Sequence, residues 1–390
     1  MGRVGQMEQV IAAGSGSSFG PGSLTVRTAE SMSTIVVESG ALARLGALLG
    51  AYLPEARRVF VVSDELVWAA HGERVSAILT AAGFQIVTTT VPAGEESKSL
   101  ARAGEIYAWL AAARAERREP IVAFGGGVVG DLAGFVAATY LRGVPLVQVP
   151  TSLLAMVDSS VGGKTGVNLP AGKNLVGAFL QPGLVVVDPA LLTSLSPREQ
   201  RSGWAEVVKY AFFDRSVPGL TGSPLLPIMI EDGDALRALT EPICSGVITQ
   251  CLRIKATVVE QDERETGLRR VLNLGHTIGH AIEAVAGYGR YTHGEAVALG
   301  TRAAARLSAR RGLCNPALVV QVDSLYDAFG LPRQIEGCPA DALLDRLGSD
   351  KKVCAGRVNW ILLTDPGAVE IRDDVPLEDV RAVLAELGAN

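Results

Sequence analysis

Residues 120–131 read PIVAFGGGVVGD, and the chain continues LAGFVAATY to residue 140. Ile121 to Phe124 is a short, uninterrupted apolar run of the kind a strand buried on both faces needs, and residues 132–140 read as helix. Between them Gly125-Gly126-Gly127-Val128-Val129-Gly130 matches G-x-G-x-x-G at a strand-to-helix turn. Glycine permits the tight turn, and the backbone N–H groups and dipole at the helix start can then hold a pyrophosphate. A plain tight turn would use the same residues. Two features depart from the usual dinucleotide fingerprint. The turn follows a late strand, and no acidic residue stands about 20 positions on; the next after Asp131 is Asp158. A ribose partner must come from elsewhere, and Asp64, ending RVFVVSD, is suitably placed.

Outward from that turn, short β-rich runs alternate with longer Ala/Leu/Arg segments. The runs are TIVVES (34–39), RVFVVSD (58–64), FQIVTTTV (84–91), PIVAF (120–124), VPLVQVP (144–150) and LVVVDP (184–189). Strands alternating with helices predict βαβ units and a mostly parallel, Rossmann-like sheet over residues 31–189. Residues 1–30 contain AAGSGSSFGPGS and read as a flexible extension. After Asp188-Pro189 the strand signals fade. Residues 190–390 read as mainly helical, with an irregular stretch at 217–227 and a hairpin in VNWILLTDPGAVEIRDD before a last helix. The expected fold is α/β plus α, and the cleft between two such domains is the default site.

Composition excludes several classes. The chain has 390 residues, 48% apolar, with net charge −5, which supplies no general attraction for nucleic acid or an anionic membrane. No apolar stretch approaches the length of about 18 residues that a membrane helix needs. The N-terminus lacks a secretory h-region, and Gln6 does not fit a myristoylation motif. A soluble cytoplasmic protein with a small-molecule partner is expected. The five cysteines are widely spaced without C-x-x-C, which argues against a disulfide framework or a thiolate zinc site. Of 36 basic residues only Lys98, Lys164, Lys173, Lys209, Lys255, Lys351 and Lys352 are lysine. Against such an arginine bias, a retained lysine marks a position where a compact ammonium serves better than a guanidinium.

Three further constellations carry chemistry. Asp158-Ser-Ser-Val-Gly-Gly-Lys164-Thr165 tempts a P-loop reading, but Asp158 occupies the first glycine position, so the spacing fails. With Gly172-Lys173-Asn174 it leaves two Gly-flanked lysines and an amide; solvated loop lysines are the bland alternative. Arg269 to Glu283, RRVLNLGHTIGHAIE, reads as one helix. Arg269, Asn273, His276 and His280 then share a face, with Val271, Leu274, Ile278 and Ile282 opposite. Gly275 and Gly279 in this pattern point to close approach of a ligand or another helix. Three of the four histidines, His276, His280 and His293, fall within this region, which suggests a divalent metal; the fourth, His71, reads as a bystander. Spacing alone favours the i, i+4 pair His276/His280 as ligands. In WAEVVKY, Glu206 and Lys209 lie one turn apart, an ordinary ion pair or a hard ligand with its neighbour.

Together these segments resemble the dehydroquinate synthase family, sugar-phosphate cyclases that use NAD internally. The resemblance runs from about residue 33 to the end. It rests on FGGGVVGDLAGF, TYLRG, QVPTSLLAMVDSSVGGKTGVN, GKNLVGAFLQP, AEVVKY, IKATVVEQDERE, LNLGHTIGHAIE, HGEAVALG and DKKV. It implies a Zn2+ or Co2+ ion on Glu206, His276 and His293, overriding the His276/His280 pair. It implies NAD held by Asp64, Glu95, Lys98, Gly126, Gly127, Asp131, Thr151, Ser152 and Ser194, with Lys164 and Lys173 serving cofactor and substrate. Asp158, Lys164, Asn174, Lys209, Arg269, Asn273 and His280 would carry the catalytic work. Lys351 or Lys352 would face the phosphate, and Arg142 would reach across a homodimer.

The implied chemistry, a step of the shikimate pathway to aromatic amino acids, acts on 3-deoxy-arabino-heptulosonate 7-phosphate. A hydroxyl is oxidised with NAD, phosphate leaves by β-elimination, the hydride is returned, and an intramolecular aldol closes 3-dehydroquinate. The chain departs from the family pattern in its longer N-terminus, in Ser152 and Ser194 where threonine is common, and in Thr301 where Met often stands. Related alternatives are an aminodehydroquinate synthase and a sedoheptulose 7-phosphate cyclase. A metal-dependent alcohol or polyol dehydrogenase is the alternative from another class, and it needs none of the phosphate-binding lysines.

Overall fold

The computed structural model describes residues 22–287, 289–348, 353–354 and 357–389. The chain divides into two compact units, Met1–Leu195 with Glu241–Leu252, and Ser196–Thr240 with Arg253–Asn390.

The first unit is built on strands β1 (Gly22–Arg27), β2 (Met32–Val37), β3 (Arg58–Asp64), β4 (Gln85–Val91), β5 (Ile121–Gly125), β6 (Leu146–Pro150), β7 (Lys164–Leu169), β8 (Gly172–Phe179) and β9 (Leu184–Val187). Seven of them form one sheet in the order β1-β2-β9-β6-β5-β3-β4. All its neighbours are parallel except β1 and β2. Helices α1 (Leu45–Tyr52), α2 (Glu65–Ala81), α3 (Leu100–Ala112) and α4 (Gly127–Thr139) provide crossovers. Every residue of β5, β6 and β9 is buried, which is why these strands read as continuous apolar runs instead of alternating ones. The strand order reverses between β3 and β5. That switch point sets the C-terminal ends of the two strands, Asp64 and Gly125, side by side at the position where open α/β sheets bind ligands.

Two expectations need correction. Residues 22–27 of the stretch read as a flexible extension form an edge strand, Gly22 pairing with Val37 and Arg27 with Met32. Val26 is buried, and the glycine and serine around it conceal a short pattern of alternating exposure. The second correction concerns Lys164, Lys173 and Asn174, read as loop residues. They lie on a hairpin of β7 and β8 outside the main sheet. Glycines inside both strands disguise it, and they are there because the backbones meet. A Cβ on Gly177 would stand 2.4 Å from Thr165 O, and one on Gly166 2.8 Å from Val176 O. The hairpin packs on α4, where a Cβ on Gly134 would stand 2.5 Å from Thr165 Cγ2.

The second unit is helical: α5 (Pro197–Ala211), α6 (Leu225–Glu231), α7 (Gly233–Arg237), α8 (Ile243–Gln261, whose start belongs to the first unit), α9 (His276–Ala286), α10 (His293–Arg310), α11 (Ala317–Ala328), α12 (Ala340–Gly348) and α13 (Leu377–Glu386). The predicted hairpin is present as Trp360–Asp365 paired with Ala368–Arg372. Cys244, Cys251, Cys314 and Cys338 are free thiols.

Asp188 ties strand ends together in the first unit. It is fully buried, and its carboxylate accepts from the N–H groups of Gly40 (2.7 Å), Leu42 (3.0 Å) and Ala190 (3.0 Å), joining the segments that follow β2 and β9. Asp188→Ala removes the acceptor of three N–H groups, of which that of Leu42 is buried, and is expected to cost on the order of 2 kcal/mol, read as a lower urea midpoint. Asp188→Asn keeps an acceptor oxygen and should fall between the two.

Candidate metal centre and cofactor turn

In the second unit α5 starts at Ser196, whose hydroxyl accepts from Glu199 N, with Pro197 in the first turn. From Ser202 to Ala211 every residue is buried. Glu206 and Lys209 are therefore not a solvated pair: they are 0% and 1% exposed and form an ion pair, and Lys209 Nζ also donates to Leu272 O at 2.8 Å. A carboxylate removed from water is tolerated only with charged or hydrogen-bonding partners, and these surround it.

The predicted continuous helix from Arg269 to Glu283 is broken. Leu268–Asn273 forms a 3-10 turn, Gly275 takes φ +78°, and α9 begins only at His276. Arg269 and Asn273 thus do not share a helix face with the histidines. The cause is packing against α10. A Cβ on Gly275 would stand 2.3 Å from Thr301 Oγ1 and 2.7 Å from Val297 O, and one on Gly300 would stand 1.8 Å from Gly275 O. The expectation of close approach by another helix is met here and at Gly279, whose Cβ would lie 3.1 Å from Ala296 O. The stripe that does exist on α9 is His276, His280 and Glu283, at i, i+4 and i+7.

His293 opens α10 behind a capping box of Thr292 and Glu295. Arg198 of α5 clamps Glu295 with two bonds of 2.9 and 2.7 Å, fastening the start of α10 to α5. One ligand atom each from Glu206, His276 and His293 can be chosen so that all lie within 4.8 Å of one another. Glu206 Oε1 is 3.4 Å from His293 Nε2 and 3.6 Å from His276 Nε2. The other ring nitrogens are occupied: His276 Nδ1 lies 3.1 Å from Leu274 O, and His293 Nδ1 lies 3.2 Å from Glu283 Oε2. Two imidazoles turned by outer partners to present Nε2 beside a carboxylate are the donor set that zinc or cobalt takes, with coordination positions left for substrate. His280, Glu283 and His293 form a second such group. Burial alone would lower the His293 pKa, but hydrogen bonds to Glu206 and Glu283 outweigh it and push it up to about 10. The negative field that holds a proton there would also hold a divalent cation.

Beside this group runs the loop 262–273. Burial would raise the Asp262 carboxyl, yet hydrogen bonds from the N–H groups of Thr266, Arg269 and Gly267 bring it down to about 2. Arg269 is buried and its guanidinium donates to Glu263 O, while Asn273 Nδ2 donates to Glu265 Oε1.

In the first unit the glycine turn has the predicted form. β5 ends at Gly125 and α4 starts after Gly126, which offers no side-chain cap. A Cβ on Gly130 would stand 2.9 Å from Gln148 Oε1, and one on Gly127 3.1 Å from Ser159 Oγ. Thr151 N donates to Gly125 O at 3.0 Å, and the buried Thr151 hydroxyl has no hydrogen-bond partner among the described residues. Ser152 Oγ stands 3.4 Å from where a Gly126 Cβ would be. An uncapped helix start beside an unsatisfied buried hydroxyl fits a phosphate-bearing cofactor. Asp64 spends Oδ1 on the N–H groups of Leu66 and Val67. Buried Lys98 pairs with Asp131.

Asn168, which the sequence did not single out, links several neighbours. Its Nδ2 donates to Glu95 Oε1 (2.8 Å), its N–H donates to Lys98 O (2.8 Å), and its Oδ1 accepts from Asn174 N (2.9 Å). No sequence signal picked it out, because the strand that carries it reads as loop. Ser194 Oγ lies 2.9 Å from His71 Nε2 and donates to Leu191 O, so His71 is hydrogen-bonded to a candidate cofactor residue. Asp158 sits in a π-turn, Ala155–Ser159. Arg142 is exposed with φ +65°, next to Leu141 at +49°. Lys351 and Lys352 lie outside the described residues.

Two family models match, 3-dehydroquinate synthase N-terminal over residues 88–202 and 3-dehydroquinate synthase C-terminal over residues 203–353. The chain is 47% identical over 350 residues to a 3-dehydroquinate synthase of Symbiobacterium thermophilum, covering 89% of this chain and 95% of that one. Among solved structures it is similar to ValA, a 2-epi-5-epi-valiolone synthase of Streptomyces hygroscopicus subsp. jinggangensis with NAD+ and Zn2+ bound. The TM-score is 0.81 at 27% identity, with 90% of this chain and 96% of that one covered. It is also similar to a 2-deoxy-scyllo-inosose synthase complexed with carbaglucose-6-phosphate, NAD+ and Co2+. There the TM-score is 0.80 at 26% identity, covering 94% and 99%.

The helix contacts are open to a direct check. Gly300→Ala drives a methyl into the Gly275 carbonyl, where no rotamer relieves it, and should cost about 3 kcal/mol in chemical denaturation. Gly104→Ala, in α3 with nothing within 4 Å of the new Cβ, should instead stabilise by ~0.5–1 kcal/mol.

Proposed function

The chain belongs to the 3-dehydroquinate synthase family, and we propose that it converts 3-deoxy-arabino-heptulosonate 7-phosphate to 3-dehydroquinate and phosphate in the shikimate pathway. It is an NAD- and metal-dependent, phosphate-eliminating lyase. The observation that carries this reading is the convergence of Glu206, His276 and His293, each histidine held at its outer nitrogen. Bound NAD supplies a reversible hydride acceptor, and a bound zinc or cobalt ion supplies the Lewis acidity that lowers the pKa of a substrate hydroxyl.

The roles proposed for this chain's residues are those that the family resemblance implies. Glu206, His276 and His293 hold the ion. Asp64, Glu95, Lys98, Gly126, Gly127, Asp131, Thr151, Ser152 and Ser194 hold NAD. Lys164, Lys173 and His280 bind the phosphate and stabilise its charge as it departs. Asn174, Asn273, Lys209 and Asp158 orient the hydroxyls, and Arg269 receives the substrate carboxylate. Lys351 or Lys352 is assigned to the phosphate. A homodimer with Arg142 reaching the partner subunit's site belongs to the same reading. It is supported by the exposed, left-handed Leu141–Arg142 pair, a backbone conformation that is costly to keep on a surface without use. The assignment to the cytoplasm is also part of it; among the described residues no helix is long and apolar enough to cross a membrane.

The test follows phosphate and NADH together on purified protein with the keto acid phosphate. Phosphate should be released without accumulation of NADH, EDTA should abolish turnover, and zinc or cobalt should restore it. NADH formed in step with substrate loss would show a dehydrogenase instead. Sedoheptulose 7-phosphate leaves a carboxylate-binding guanidinium unpaired, and its kcat/KM should be worse by on the order of 2–4 kcal/mol. Efficient turnover of that sugar would overturn the assignment. In metal titrations His293→Ala should lose stoichiometric zinc and His280→Ala should retain it; the reverse result moves the ion to the other histidine.

A further inference from the structure

Glu283 has no part in the roles above, yet it is buried and its Oε2 lies 3.2 Å from His293 Nδ1. We infer that Glu283 is the positioning residue of the metal centre, its carboxylate turning the His293 imidazole so that Nε2 faces the ion. The inference rests on the reading of Glu206, His276 and His293 as ligands. It concerns how one of them is held.

The geometry separates the two ring nitrogens. Nε2 of His293 points to Glu206, at 3.4 Å, and Nδ1 points to Glu283. An imidazole binds a metal through a bare nitrogen, so its remaining N–H must sit on the other one and needs an acceptor. Glu283 is that acceptor. His276 has the same arrangement with a backbone carbonyl, Leu274 O, in the acceptor's place. The difference has a structural origin. His276 opens α9 just after the Gly275 turn, which brings a nearby carbonyl within reach. His293 opens α10 after Thr292, whose hydroxyl oxygen already accepts from Glu295 N as the helix cap. Support for its ring comes from another helix. Glu283 lies two turns along α9 from His276, and glycines 275, 279 and 300 let α9 and α10 approach closely enough for the contact.

A competing arrangement uses the same atoms. His280, Glu283 and His293 could hold an ion of their own, with Glu283 as a direct ligand. Zinc affinity, measured on the whole chain by competition with a chromophoric chelator, separates the possibilities, with the cobalt absorption spectrum as a second readout independent of turnover. Glu283→Gln keeps shape and a neutral acceptor, and Glu283→Leu removes the acceptor. A positioning residue predicts one zinc per chain in both variants, weakened about 10–100-fold in Glu283→Leu and less in Glu283→Gln. The cobalt band should shift, and Glu206→Ala should lose binding. Wild-type affinity and an unshifted cobalt band in Glu283→Leu, with binding lost in Glu206→Ala, would overturn the inference and leave the ligand assignment standing. Loss of stoichiometric zinc in both Glu283 variants, with binding retained by Glu206→Ala, would make Glu283 a ligand and overturn both.

Discussion

The second unit is organised around a carboxylate taken completely out of water. Glu206 lies inside α5, and an isolated charge there would cost several kcal/mol or more. Its neighbours are what such a charge requires: the Lys209 ammonium one turn along and the imidazoles of His276 and His293. The three helices that supply these groups meet at backbone distance, with glycine at the closest approaches. Gly294 faces Ser202 O, where a Cβ would be 1.9 Å away, and Gly300 faces Gly275 O. The close packing and the chemistry are one constraint. The ligand atoms converge only because the helices can touch.

The first unit solves a different problem with the same residue type. A negatively charged phosphate group needs backbone N–H groups that nothing else occupies, so the helix after β5 starts at a glycine without a side-chain cap. Nearby cations are kept under control. Lys98 is buried and paired with Asp131, while Lys164 is exposed on the hairpin. In a chain that otherwise prefers arginine, this distribution suits compact charges aimed at oxygen anions.

Supporting contacts matter as much as the primary groups. Asn168 ties the Glu95 side chain to the backbones of Lys98 and Asn174. Arg198 clamps Glu295 and so fixes the first turn of the helix that carries His293. Removing such groups would leave the segments they hold without a fixed position, and a displacement of about 1 Å at a reacting group is enough to spoil catalysis.

Read alone, the sequence determined the parallel sheet, the glycine turn and the chemical inventory. Strands such as β5, β6 and β9 are buried on both faces and so announce themselves as unbroken apolar runs, while a turn that must hold an anion needs glycine whatever surrounds it. What escaped were features whose cause lies far off in the chain. β1 is defined by its pairing with β2, the hairpin of β7 and β8 by mutual glycine contacts, and the break at Gly275 by the helix that presses on it. Helical spacing joined His276 to His280, whereas the fold brings His276 and His293 to Glu206 and sets Glu283 behind His293. Local periodicity records which face of an element is buried. Which atoms meet across that buried surface, and which nitrogen of an imidazole is left bare, is decided only when helices distant in sequence pack.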